Sequence, residues 1–144
     1  MPATGYTLDQ IKAQLVSPWV WRDASGGSPA MAISFGFPAS RAWLPSDAAE
    51  VAGWSAFNAT QASLARQAVS LWDDVVAATF TEFSGADAAN ADIRFSNSSA
   101  PDYAYAYYPG YVGDDSTNDE KLSGAIWLDP RFSELSTPVV GRYG

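Results

Sequence analysis

What most limits the folds open to this chain is one long amphipathic helix that interrupts a series of short strands. Asn58 can cap that helix by accepting from its first free amides. Ala65, Ala68, Trp72, Val75 and Thr79 then recur on one face as far as about residue 77, with Asp73 and Asp74 on another side. Trp72, in the middle of the stripe, is expected in the core. Before the helix, Met31, Ile33, Phe35 and Phe37 alternate with Ala32, Ser34 and Gly36, and Pro38 stops the run, which reads as a strand with one apolar face. After it, residues 80–83, 91–95, 103–108 and 124–128 read as further strands in quick succession. The expected fold is therefore α+β, a mixed sheet with the long helix on one face. Apolar strands in such a sheet need cover on both faces. The chain offers little beyond this helix and a shorter one, so the second face is expected to lack its cover.

The shorter helix begins at Thr7, where Thr7 and Gln10 have the spacing of a capping box and Leu8, Ile11 and Leu15 share a face. Pro18 ends it, and residues 25–29 form a turn by composition. Residues 39–57 show no period and read as a loop carrying Trp43 and Trp54. Residues 113–121 form an acidic loop and residues 132–144 read as irregular. There is no internal repeat, and 144 residues fit one domain.

Chemistry is limited sharply by what is missing. The sequence has no histidine and no cysteine. It therefore holds no disulfide, no thiolate nucleophile, no imidazole base and no imidazole or thiolate zinc ligand. A glycosidase using paired carboxylates survives as a formal alternative, without a paired-acid signature to support it. Sixteen acidic against eight basic residues give a net charge of −8, which repels phosphate backbones and disfavours nucleic acid as a partner. No apolar run reaches the roughly 18–20 residues of a membrane span. Residues 1–6 have neither a basic nor an apolar signal region, so export by an N-terminal signal peptide is not expected.

Several segments together carry a resemblance. Phe57-Asn58-Ala59-Thr60-Gln61 leads into the helix, which carries Leu71-Trp72-Asp73-Asp74-Val75. Then follow Phe80-Thr81-Glu82, Ala91-Asp92-Ile93-Arg94-Phe95, Tyr105-Ala106-Tyr107-Tyr108-Pro109-Gly110 and Ala125-Ile126-Trp127-Leu128. In this order the chain resembles the N-terminal part of a serralysin-type catalytic domain, a metzincin zinc protease. The family's signature is H-E-x-x-H-x-x-G-x-x-H followed by a Met-turn. It comes soon after a segment that Gly141-Arg142-Tyr143-Gly144 resembles, and it is not in this sequence.

The resemblance implies that residues 1–144 are the N-terminal portion of one secreted zinc endopeptidase domain, incomplete and inactive alone. Zinc would be bound only in the complete domain, and no metal ligand or catalytic residue is expected here. The remaining half of the domain, or a second chain carrying the zinc helix, would be the partner and would cover the sheet's second face. A peptide or protein would be the substrate. The stretch 102–110 would be the edge strand above the cleft, with Tyr103, Ala104 and Tyr105 as substrate-binding rim residues. Tyr105 stands where related matrixins have a structural-zinc histidine, so no structural zinc is expected. Calcium belongs to later Gly-rich repeats of the parent. Within this chain only residues 113–120 could form a hard-cation loop, and a solvated acidic loop is the plainer reading. The alternative to a protease fragment is a non-catalytic peptide-binding module of the same fold.

Overall fold

The computed structural model describes residues 7–10, 32–109 and 121–138. Six strands build one sheet: β1 (Ala32–Gly36), β2 (Ser55–Ala56), β3 (Thr79–Phe83), β4 (Ile93–Asn97), β5 (Ala104–Ala106) and β6 (Ala125–Leu128). The order is β3-β1-β4-β6-β5, with the short β2 paired to the end of β4. β1, β3, β4 and β6 run parallel, and β5 returns antiparallel along β6. Among the described residues two α-helices have both ends defined, the long α1 (Ala59–Asp73) and the single turn α2 (Ser133–Ser136). The expected mixed sheet with the long helix on one face is what forms.

Local chemistry explains the element ends. Asn58 Oδ1 accepts from Gln61 N–H while Gln61 Oε1 accepts from Asn58 N–H, both at 2.9 Å, so α1 starts on a reciprocal capping box. Gln61 is also buried, donating through Nε2 to Asn97 at 2.8 Å and to the Leu135 carbonyl at 2.9 Å. One amide thereby ties the helix start to β4 and to α2. At its far end α1 stops at Asp73, short of residue 77, and Asp73 Oδ1 accepts from Phe80 N–H as β3 begins. Thr7 and Gln10 form the capping box their spacing predicts. The remainder of that first helix, Ile11 and Leu15 included, lies outside the described residues, as do Met31, the acidic loop at 113–120 and Gly141 to Gly144.

Strand alternation sorts the sheet into two faces. Ile33, Phe35, Phe37, Phe80, Ile93, Phe95 and Ile126 face α1 and pack around Val69. Phe37 and Phe95 stack with centroids 5.4 Å apart, and Phe57 joins them from the α1 approach. On the other face, Ala125 and Trp127 are fully buried beneath Leu44, Trp43, Val51 and Trp54.

That second face corrects the expectation that it lacks cover. The connector between β1 and α1, residues 37–54, folds across it and stacks Trp43 on Trp127 at 5.7 Å. An aperiodic segment covers a sheet as well as a helix does when its large side chains arrive at the right places, and periodicity cannot announce that. The open apolar surface lies instead on the face that α1 occupies. α1 buries Gln61, Ala62 and Val69, while Ala68 and Trp72 on the adjoining row line an open trough beside the sheet, which leaves Trp72 61% exposed. The stripe read from the sequence is thus one helical row away from the buried row, and Trp72 is not a core residue.

Candidate functional site

β5 is the last strand of the sheet, and among the described residues no strand pairs with its outer side. Its register sets Ala104 opposite Leu128, Tyr105 opposite Trp127 and Ala106 opposite Ile126. Tyr107 N–H donates to the Ala125 carbonyl at 2.9 Å, and Asp129 N–H donates to the Tyr103 carbonyl at 2.8 Å. The odd-numbered residues therefore turn their backbone groups toward β6. Antiparallel pairing alternates, so the N–H and C=O groups of Ala104 and Ala106 point to the open side. Both alanines are exposed, and each puts only a methyl group on the α1 face.

Beside this edge runs an apolar trough between α1 and the sheet. One part, about 410 Å³, is lined by Ile33, Val69, Trp72, Phe80, Ile93 and their neighbours. A second, about 240 Å³, is lined by Phe57, Leu64, Leu128, Leu135 and Pro138 among others. Ala65, Ala68, Phe95 and Ile126 line both. Its floor includes Ile126 and Leu128, the β6 partners of Ala106 and Ala104, so edge and trough are one strand apart.

The residues singled out in the sequence meet different fates. Ala104 offers its backbone outward at the edge. Tyr105 is half-buried on the other face, where its hydroxyl donates to Glu50 Oε1; the Tyr107 hydroxyl donates to the same oxygen at 2.5 Å. Burial, and then the hydrogen bond to Glu50, holds the Tyr105 phenol well above its ordinary range, so it remains a donor. Tyr103 packs edge-on against Phe132, with its hydroxyl buried and without a hydrogen-bond partner among the described residues. Ala106 joins Ala104 at the open edge and was not singled out, because a small residue between two tyrosines leaves no mark in a pattern of apolar alternation.

Glu50 was also missed. In the sequence it is one acid in an aperiodic stretch, yet it is 1% exposed. Asp129, equally plain in the sequence, is fully buried and paired with Arg131. Arg131 reaches on to the carbonyls of Ser99 at 3.1 Å and Pro101 at 3.4 Å, which pins the turn that enters β5. The Arg131 side-chain hydrogen bonds hold the Asp129 carboxyl below the usual carboxylate range.

Among the described residues no group of three or more His, Cys, Asp or Glu could hold a metal. The sequence has no histidine or cysteine, so the residues present do not supply the imidazole or thiolate donors of an ordinary zinc centre. No helix among the described residues is long and apolar enough to cross a membrane.

No family model matches the chain. Among curated proteins it is 33% identical to Serralysin C of Dickeya chrysanthemi over 98% of this chain. It is also 33% identical to Metallopeptidase AprA of Pseudomonas marginalis, over 96% of this chain, and 27% identical to Serralysin G of Dickeya chrysanthemi, again over 96%. The chain is thus a relative of the serralysin-type metallopeptidases along nearly its whole length. It spans only 28–29% of the length of these relatives, so it matches a segment of such a protease.

Proposed function

We propose that this chain is the N-terminal portion of a secreted zinc-dependent metalloendopeptidase, for which it supplies the sheet and the substrate-binding edge strand. The observation that carries the reading is the open side of β5, where Ala104 and Ala106 present backbone donors and acceptors next to the trough. An extended peptide can add to such an edge by main-chain hydrogen bonds, and the two methyl groups leave its backbone room to approach. Tyr103 and Tyr105 act at the rim through the strand they anchor.

The zinc helix and Met-turn would come from the remainder of the domain, in the same chain or a second one. Zinc there would supply the Lewis acid and the activated water. The trough beside α1 supports this reading, because it is apolar along its length and has the exposed Trp72 in its lining. Apolar surface of that extent on a soluble protein calls for a partner. The described residues contribute substrate alignment and a packing surface, and residues 1–144 alone are inactive. Calcium, if used, is a property of later parts of the parent.

The test compares residues 1–144 with the full-length protein. The full-length protein should cleave casein-like substrates in a chelator-sensitive way, while residues 1–144 should neither cleave them nor bind stoichiometric zinc. Adding the zinc-helix half in trans should restore compactness and, with zinc, cleavage. Zinc binding and proteolysis by residues 1–144 alone would overturn the reading. A compact monomer that binds extended peptides but no hydrophobic dye would replace it with the non-catalytic peptide-binding module.

A further inference from the structure

We propose that Glu50 is a positioning residue for peptide capture, holding the open strand β5 in shape by accepting the hydroxyls of Tyr105 and Tyr107. The proposal rests on the protease reading above and deepens it.

β5 has three residues and one ladder, and strands that short and one-sided open readily. A peptide can add to it only while the outward groups of Ala104 and Ala106 keep strand spacing. Tyr105 and Tyr107 are two residues apart, so both rings fall on the same face of the strand. They meet edge-on with centroids 5.6 Å apart, and both hydroxyls converge on Glu50 Oε1. One carboxylate thus fixes the strand at two successive positions on its inner face.

The carboxylate is itself well anchored. Glu50 lies in the 3-10 turn Ala49–Val51, closed by Val51 N–H to the Ala48 carbonyl and Ala52 N–H to the Ala49 carbonyl, both at 3.1 Å. The Ala52 carbonyl then accepts from Ser99 N–H, Ser98 Oγ and Ser99 Oγ at 2.9–3.0 Å. The turn is therefore tied to the end of β4, and a rigid support carries the group that holds the edge.

Packing alone does not call for an acid at this place. A buried carboxylate gives up its hydration, and well-packed apolar groups of similar volume commonly fill such a site at least as stably. Among the described residues no cation lies within ion-pair distance of Glu50; its partners are the two phenols. What the acid adds over a leucine is direction, which a recognition edge needs and a core does not.

The experiment uses Glu50→Gln, Tyr105→Phe and Tyr107→Phe in the full-length protein, read by peptide kinetics and by amide hydrogen exchange. KM for peptides long enough to lie along β5 should rise about tenfold, with kcat within about twofold. Exchange at the Tyr105 and Tyr107 amides should quicken about tenfold or more while the β4 amides hold. A lowered thermal midpoint with KM and β5 exchange unchanged would reduce Glu50 to a packing group and overturn the proposal. Faster exchange with unchanged KM would also overturn it, while leaving the protease reading intact. If Glu50→Gln does not fold, the two Tyr→Phe variants, which keep the rings, decide. Wild-type full-length protein that cleaves no peptide would overturn the protease reading, and the capture role of Glu50 with it.

Discussion

The two faces of the sheet solve the same problem in opposite ways. On one, an irregular connector brings Trp43, Leu44 and Trp54 over Trp127 and closes the surface so fully that Ala125 and Trp127 have no exposure. On the other, a regular helix with a sound cap covers only part of the sheet and leaves a trough along β4 and β6. Regular secondary structure is therefore no measure of how complete a layer is. The irregular side is finished within this chain. The helical side offers room for one more element.

Core deletions should separate the faces most strongly. Trp127→Ala should cost about 3–5 kcal/mol, as removal of a fully buried large aromatic does, read as a drop in the denaturant midpoint at constant slope. An effect below about 1 kcal/mol, the range of exposed sites, would mean the connector does not close its face.

A smaller loss, about 1 kcal/mol, is expected from Asn58→Ala, which removes one half of the α1 capping box and the bond from Asn58 Nδ2 to the Ser136 carbonyl at 2.6 Å. Helicity lost from α1 without a change in Trp127 fluorescence would show that the helical layer loosens independently of the other.

Trp72→Ala should then cost under about 1 kcal/mol in residues 1–144, because an exposed side chain has little packing to lose. The same substitution should matter more once the trough is filled, so the ratio of its effects in the full-length and shorter proteins measures how far the open face is completed. Equal effects in both would mean the missing element lies elsewhere.

The weakest effect is electrostatic. Arg66 pairs with Glu82 at 2.7 Å across the outer end of the helical face, and the Arg66 hydrogen bond holds the Glu82 carboxyl below its ordinary range. A lowered carboxyl contributes stability above its unfolded pKa and loses it as pH falls through the folded value. Both side chains are partly exposed, so Glu82→Gln should remove no more than about 0.2–1 kcal/mol at neutral pH and nothing once both states are protonated. An unaltered acid limb in the stability profile would show that this edge of the helical layer is held by packing alone.

Most of the sheet was legible because its strands alternate, as Ile33 and Phe35 do in β1 and Ile93 and Phe95 in β4, or form a short apolar run, as Ala125–Leu128 does in β6. The cap at Asn58 was legible because the helix start needs an acceptor at that place. The helix register was legible only to within one row, since the stripe of Ala65, Ala68 and Trp72 borders the trough while Ala62 and Val69 form the buried row. The two-residue β2, the 3-10 segment Gly85–Asn90 and the cover by residues 37–54 left no period to read. At the edge, a resemblance pointed to β5, but only the ladder shows which backbone groups face outward. Glu50 and Asp129 were invisible because a buried acid differs from a surface acid only through partners brought from far along the chain.

The strand order also sets the tempo at which this molecule can be made. β1 lies between β3 and β4, and its nearest partner in sequence begins at Thr79, after the whole of α1. No strand of the parallel part can pair by a tight hairpin, so loops of tens of residues must close before a ladder rewards them, which slows folding relative to locally wired proteins. α1 can form earlier on its own cap. During synthesis the central pairing of β4 with β6 must wait until Leu128 has emerged, and until then β4 has partners, β1 and β2, on one side only.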